Sequence, residues 1–227
     1  MRTVLSWSSG KDSAWALHRL RGDPRVELVG LLTTINDAAD RVSMHAVREE
    51  LLRAQARALG LPVIDVRLPD PCSNEEYDRR MAVAVERMQA DGVEAVAFGD
   101  LFLEDVRAYR ERMLAGTGVE PIFPLWGLPT PALAREMVAS GLRAVITCVD
   151  TESLDATFAG RSFDAALLDA LPASVDPCGE RGEFHTFVHA GPMFEAPLAV
   201  EAGEVVDRGR FVFADVRMIE HEGSVLS

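Results

Sequence analysis

From residue 3 to residue 99 the chain alternates between two periodicities, and that alternation restricts the folds open to it more than any other feature. Short β-type runs at 3–7 (TVLSW), 26–34 (VELVGLLTT), 62–68 (PVIDVRL) and 93–99 (VEAVAFG) are separated by stretches with apolar residues at helical spacing. Those stretches are 11–21, 45–60, which closes on Gly60, and 74–92. Strands that alternate with helices predict an α/β fold, with a parallel sheet covered by helices on both faces.

The rest of the chain is less regular. A helical pattern at 104–118 is followed by 120–131 (EPIFPLWGLPTP), which is rich in Pro and Gly. We place a domain boundary there, giving residues 1–125 and 126–227. The second part reads as helix (131–141), strand (142–149), helix (163–171), a charged Gly/Pro-rich loop (172–183), and β-type segments at 184–189 and 211–219. This pattern predicts a smaller α+β domain. A chain of 227 residues with 48% hydrophobic content can supply both cores.

Composition narrows the function classes. The formal net charge of -13 disfavours a surface that binds nucleic acid through phosphates. No apolar run is long enough for a membrane span, and the N-terminus does not read as a signal peptide, so a cytoplasmic protein is expected. Cys72, Cys148 and Cys178 are widely spaced and form no C-x-x-C, so neither a zinc site nor a disulfide framework is indicated. Homo-oligomerisation stays open.

One short stretch carries the chemistry. Lys11 is the only lysine in the chain, and it lies in the turn Ser8-Ser9-Gly10-Lys11-Asp12-Ser13, between the first strand and the first helix. In a doubly wound sheet that position faces the ligand crevice, where helix N–H groups receive an anion. Small residues let a phosphate approach, the Ser hydroxyls donate, Lys11 adds positive charge, and Asp12 is placed to hold Mg²⁺ or to set the loop. The turn is not a Walker A loop, because Asp12 follows the lysine.

The hexad resembles the S-G-G-x-D-S signature of the PP-loop ATP pyrophosphatases, with Ser9 in place of the first glycine. The stretches 98–113 (FGDLFLEDVRAYRERM), 124–127 (PLWG), 146–150 (ITCVD) and 179–188 (GERGEFHTFV) are similar to blocks of the diphthine ammonia ligase family, along nearly the whole chain. The resemblance implies a HUP-type Rossmann-like ATP domain followed by a smaller substrate domain. It also implies a reaction in which ATP activates the carboxylate of diphthine, a modified histidine of elongation factor 2, as an adenylate that ammonia converts to the amide. The arginine-rich composition suits a GC-rich bacterium, where the same chemistry would serve another carboxylate.

On this reading the cofactors are ATP and Mg²⁺, and ammonium is the nitrogen donor. Lys11 and Asp12 are expected to act on the phosphates, with Asp12 also the metal ligand. Ser8, Ser9, Gly10, Ser13, Thr33, Gly99 and Asp100 are expected to hold the nucleotide, with Thr33 and Thr34 following the second strand. Glu180 and Glu183 are expected to handle ammonium, beside Gly179, Gly182 and His185 in the substrate pocket. Arg107 and Arg110 are candidates for phosphate or substrate contact, although Arg107 and Glu111, four apart, can simply pair on the surface. His45 is a weaker candidate. Two other readings remain open: a PP-loop sulfurtransferase using Cys178, and a nucleotide-binding regulator without turnover.

Overall fold

The computed structural model describes residues 1–36, 41–42 and 47–219. Its first half contains β1 (Arg2–Ser6), α1 (Lys11–Arg21), β2 (Glu27–Asn36), β3 (Arg41–Val42), α2 (Glu49–Leu59), β4 (Val63–Leu68), α3 (Asn74–Ala90), β5 (Ala95–Ala97), α4 (Glu104–Leu114) and β6 (Glu120–Ile122). Five strands run parallel in the order β4-β2-β1-β5-β6, and β3 adds a short antiparallel pairing to the end of β2. This is the Rossmann order, in which the chain walks outward from β1, then returns to its other side.

Side-chain alternation along these strands separates two cores. Leu5, Leu31 and Ala97 point to the face covered by α1 and α2, whereas their neighbours Val4, Leu32 and Val96 pack with Met81, Val85 and Met88 of α3 on the other. α1 is apolar over more than one stripe: Ala14, Trp15, Ala16, Leu17 and Leu20 are all buried. A second sheet lies against this helix, so both sides need apolar residues.

The second half contains α5 (Thr130–Ala139), β7 (Arg143–Asp150), α6 (Ala165–Ala170), β8 (Phe184–Ala190), β9 (Val200–Arg208) and β10 (Phe211–Met218). They form an antiparallel sheet in the order β8-β7-β10-β9. Phe184, Phe187 and Val188 of β8 join Leu5, Trp15 and Leu17 in one continuous core. Among the described residues no helix is long and apolar enough to cross a membrane.

Three elements depart from the sequence reading. β2 runs on to Asn36 because β4 pairs with it through Leu68, so Thr33 and Thr34 lie within the strand rather than after it. β6 falls inside the Pro/Gly-rich stretch, held by pairing with β5. β9 carries Glu201, Gly203, Glu204 and Asp207, a poor strand composition, and it forms because β10 supplies its partner.

Candidate active site

The topological switch point falls between β1 and β5, where the chain leaves in opposite directions. Trp7–Gly10 leads from β1 into α1, and Phe98–Asp100 leads out of β5. The two exits touch. A Cβ on Gly99 would sit 3.0 Å from both the Asp12 carbonyl carbon and the Ser13 nitrogen, so any side chain here would press on the backbone of the turn. A cleft of about 510 Å³ opens here, with Ser8, Lys11, Asp12, Ser13, Gly99, Asp100 and Arg110 on one wall. Gly179, Glu180, Gly182, His185 and Arg210 from the second half form the other.

The turn is tied both locally and from a distance. The Ser8 and Ser13 hydroxyls lie 3.1 Å apart, Ser13 Oγ donates to the Gly10 carbonyl (3.0 Å), and the Gly10 N–H donates to Ser8 Oγ (3.3 Å). The Lys11 N–H donates to Thr186 Oγ1 of β8 (3.1 Å), and the Val188 N–H donates to the Ser9 carbonyl (2.9 Å). Ser9 has φ +68°, the only positive φ at a non-glycine among the described residues. It therefore keeps a glycine-type conformation at a strain cost on the order of 1–3 kcal/mol.

Lys11 does not project freely into solvent. Its side chain is 2% exposed, with Nζ 2.8 Å from Asp12 Oδ2, in hydrogen-bond contact with the Cys178 carbonyl, and over the rings of Phe163 and Phe184 at 5.6 and 5.4 Å. Burial alone would lower its pKa, but the charges of Asp12 and its acidic neighbours outweigh this and hold the ammonium charged. One cation thus joins the turn to the loop of the opposite wall.

That loop separates its acids into two roles. Asp176 is buried; its Oδ1 accepts the N–H of Cys178 (2.9 Å) and of Glu180 (3.4 Å), and its Oδ2 accepts Thr130 Oγ1 (2.5 Å). Glu183, also buried, accepts the N–H of Asp176 and of Arg181, both at 2.9 Å, and lies outside the cleft lining. The position expected to be catalytic is occupied in folding the loop. Glu180 instead faces the cleft, with Oε1 accepting the Leu101 N–H at 2.7 Å. Burial, with the nearby Asp12 and Asp100 charges, pushes its carboxyl up to about 7 against the pull of the Leu101 N–H and Lys11.

The remaining candidates divide in the same way. Asp100 carries a raised pKa from burial, opposed by Arg110, whose Nε lies 3.6 Å from Asp100 Oδ2. Neither of these two buried atoms has a hydrogen-bond partner, nor does Asp12 Oδ1. Arg107 faces away from the cleft, pairing with Glu111 at 2.8 Å and stacking on Phe123 and Trp126. Thr33 is buried in β2 and does not line the cleft. His185 lines it, and burial with the nearby Lys11 lowers its pKa to about 4, so its imidazole is neutral near pH 7. His45 lies outside the described residues.

Comparison with known proteins fits both halves of this arrangement. Residues 1–121 match the diphthamide synthase N-terminal domain and residues 130–220 the diphthamide synthase C-terminal domain. The chain belongs to the diphthamide synthase family. It is 28% identical over 240 residues to a diphthine–ammonia ligase of Danio rerio, covering 95% of this chain and 92% of that protein. The human diphthine–ammonia ligase is 26% identical over 237 residues (95% and 89%), and the Rattus norvegicus one 25% over 244 (98% and 91%).

In this member of the diphthamide synthase family, Cys178 is buried at 1% exposure with Sγ 3.6 Å from the Thr130 carbonyl, and burial drives its thiol pKa well above the ordinary range. A protonated, enclosed thiol is a poor sulfur carrier. Sequence reasoning missed Asp150, Arg210 and Gln55. Asp150 closes the apolar run of β7 with an acid at the cleft, where Arg210 pairs with it at 2.6 Å. Gln55 sits between Leu51 and Leu59 at spacings of four, a polar residue on the buried face of α2. That phase was the signal available for it.

Proposed function

We propose that the cleft catalyses ATP-dependent amide formation in two steps. An acceptor carboxylate oxygen attacks the α-phosphorus of ATP, the bond between the α-phosphorus and the bridging oxygen breaks, and pyrophosphate leaves. Ammonia then attacks the acyl carbon of the adenylate, AMP leaves, and the surplus proton passes to a base. The observation that carries this reading is the joining of two chemistries in one cleft: an anion-receiving turn at the switch point, and a carboxylate, Glu180, with a pKa of about 7 opposite it.

The turn with Ser8, Ser13 and the Lys11 charge receives the phosphates, and Arg110 Nε offers a donor on the far side. Asp12 Oδ1 and Asp100 Oδ2 are buried without hydrogen bonds, and no group of three His, Cys, Asp or Glu suited to a metal occurs among the described residues. Two carboxylates that need phosphate oxygens to complete a shell fit Mg²⁺. When bound there, the ion would neutralise charge on the pyrophosphate. Glu180, ionised above about pH 7, takes the proton released as the amide forms, and the neutral His185 lines the acceptor side without adding charge.

The acceptor is diphthine on elongation factor 2 or a carboxylate of the same kind. The test is a reaction with ATP, Mg²⁺, ammonium chloride and diphthine-bearing elongation factor 2. AMP, pyrophosphate and a product one mass unit lighter are expected, since a hydroxyl is exchanged for an amino group. ADP and phosphate would overturn the reaction class, whereas AMP formation only with a different carboxylate would reassign the acceptor.

A further inference from the structure

We propose that Gln55 is a positioning residue that holds Ser9 in its left-handed conformation, allowing this chain to build a glycine-type phosphate loop with serine. The inference rests on the reading of the turn as a nucleotide site. Ser9 is fully buried with φ +68°, and its hydroxyl has no hydrogen-bond partner, so the side chain returns nothing for the strained backbone. A strained residue persists only where its surroundings over-determine it.

Gln55 supplies that restraint from α2. Its side chain is fully buried; Nε2 donates to the Ser9 carbonyl (3.1 Å) and to the Val188 carbonyl (2.6 Å), while Oε1 accepts the Trp7 indole N–H (3.0 Å). The reversed amide would set its oxygen against two carbonyls and its NH₂ against an N–H, so the partners fix one orientation. Val188 closes the ring by donating its own N–H to the Ser9 carbonyl at 2.9 Å. One amide therefore fastens the residue entering the turn, the strained residue itself and the β8 strand behind it. Ser9 cannot rotate out of φ > 0 without moving its carbonyl away from two buried donors.

A structural glutamine of ordinary kind would matter equally whatever residue occupied position 9. A residue that holds Ser9 in place should matter less when glycine, which adopts positive φ freely, is there instead. The experiment is a double-mutant cycle with Gln55→Met and Ser9→Gly, reading MgATP affinity by calorimetric titration and the unfolding midpoint in denaturant. Gln55→Met is expected to weaken MgATP binding about tenfold in the natural background and less than about threefold in the Ser9→Gly background, with a matching recovery of the unfolding midpoint. Equal losses in both backgrounds would overturn the proposal. If the natural protein binds no MgATP, the nucleotide reading fails, and the unfolding cycle alone decides whether Gln55 and Ser9 are coupled. If Gln55→Met does not fold, folding of the double variant is the expected outcome, and failure of both overturns it.

Discussion

The two walls of the cleft differ in what sets their shape. The Ser8–Ser13 turn is short and local in sequence, but its shape depends on groups from elsewhere: Gln55 on α2, and Val188 and Thr186 on β8. The loop from Asp176 to Glu183 is folded by two of its own carboxylates on its own amides, and Thr130, Lys11 and Leu101 tie it to the rest of the molecule. The first arrangement makes the shape of the turn depend on docking of the second sheet. The second leaves one acid, Glu180, facing the cleft, where we propose it as the proton acceptor, while the other two bind the loop's own amides. Three acids within eight positions therefore have different surroundings, and the hydrogen-bond partners of each separate them.

The largest effect should come from the acid that faces the cleft. Glu180→Gln removes the proton acceptor we propose and should lower turnover by about 10²- to 10⁴-fold. The natural enzyme should gain activity as pH rises through about 7, as the carboxyl loses its proton, and this limb should vanish in the variant. Stability should move the other way. The folded pKa lies above the ordinary 4.5, so the native state holds an extra proton between these values and stability falls as pH rises through that window. Glu180→Gln should flatten that slope in denaturant titrations. An unchanged pH–rate profile would show that another group takes the proton.

Next come the carboxylates that fold the loop. Asp176→Ala leaves the Cys178 and Glu180 amides and the Thr130 hydroxyl without their acceptor in a buried site, which should cost about 3 kcal/mol of stability. Glu183→Gln keeps one acceptor oxygen and exchanges the other for a donor facing an N–H, at a cost of about 1–2 kcal/mol. Unfolding midpoints check both. If Glu183→Gln instead lost turnover at unchanged stability, the distinction between folding acids and the chemical acid would collapse.

This difference also explains what the sequence made legible. The alternation of strands and helices was readable because it is a local period, and Gly60 closes α2 in the left-handed conformation common at helix ends. The turn was readable because its residue types have few other uses together. β6 and β9 were not, since each has a composition that disfavours extension and becomes a strand only through the partner it pairs with, β5 for β6 and β10 for β9. Glu183 and Glu180 look alike in GERGE, and nothing in the spacing shows which one folds back onto amides. Thr33 and Thr34 read as following the second strand because the pairing that extends β2 to Asn36 comes from β4.

The smallest effect separates a backbone from its own side chain. Lys11 is bound to the carbonyl of Cys178, while the thiol of that residue points to the Thr130 carbonyl in an enclosed site. Cys178→Ser keeps the carbonyl and replaces the sulfur with a hydroxyl that can use the same acceptor. It should cost at most about 1 kcal/mol and leave turnover within about twofold. A well-folded Cys178→Ser protein without turnover would mean that the thiol is reached by substrate, and it would revive sulfur transfer at this cleft. Retained turnover would assign the contribution of position 178 to its main chain, which ties the two walls together through the single lysine.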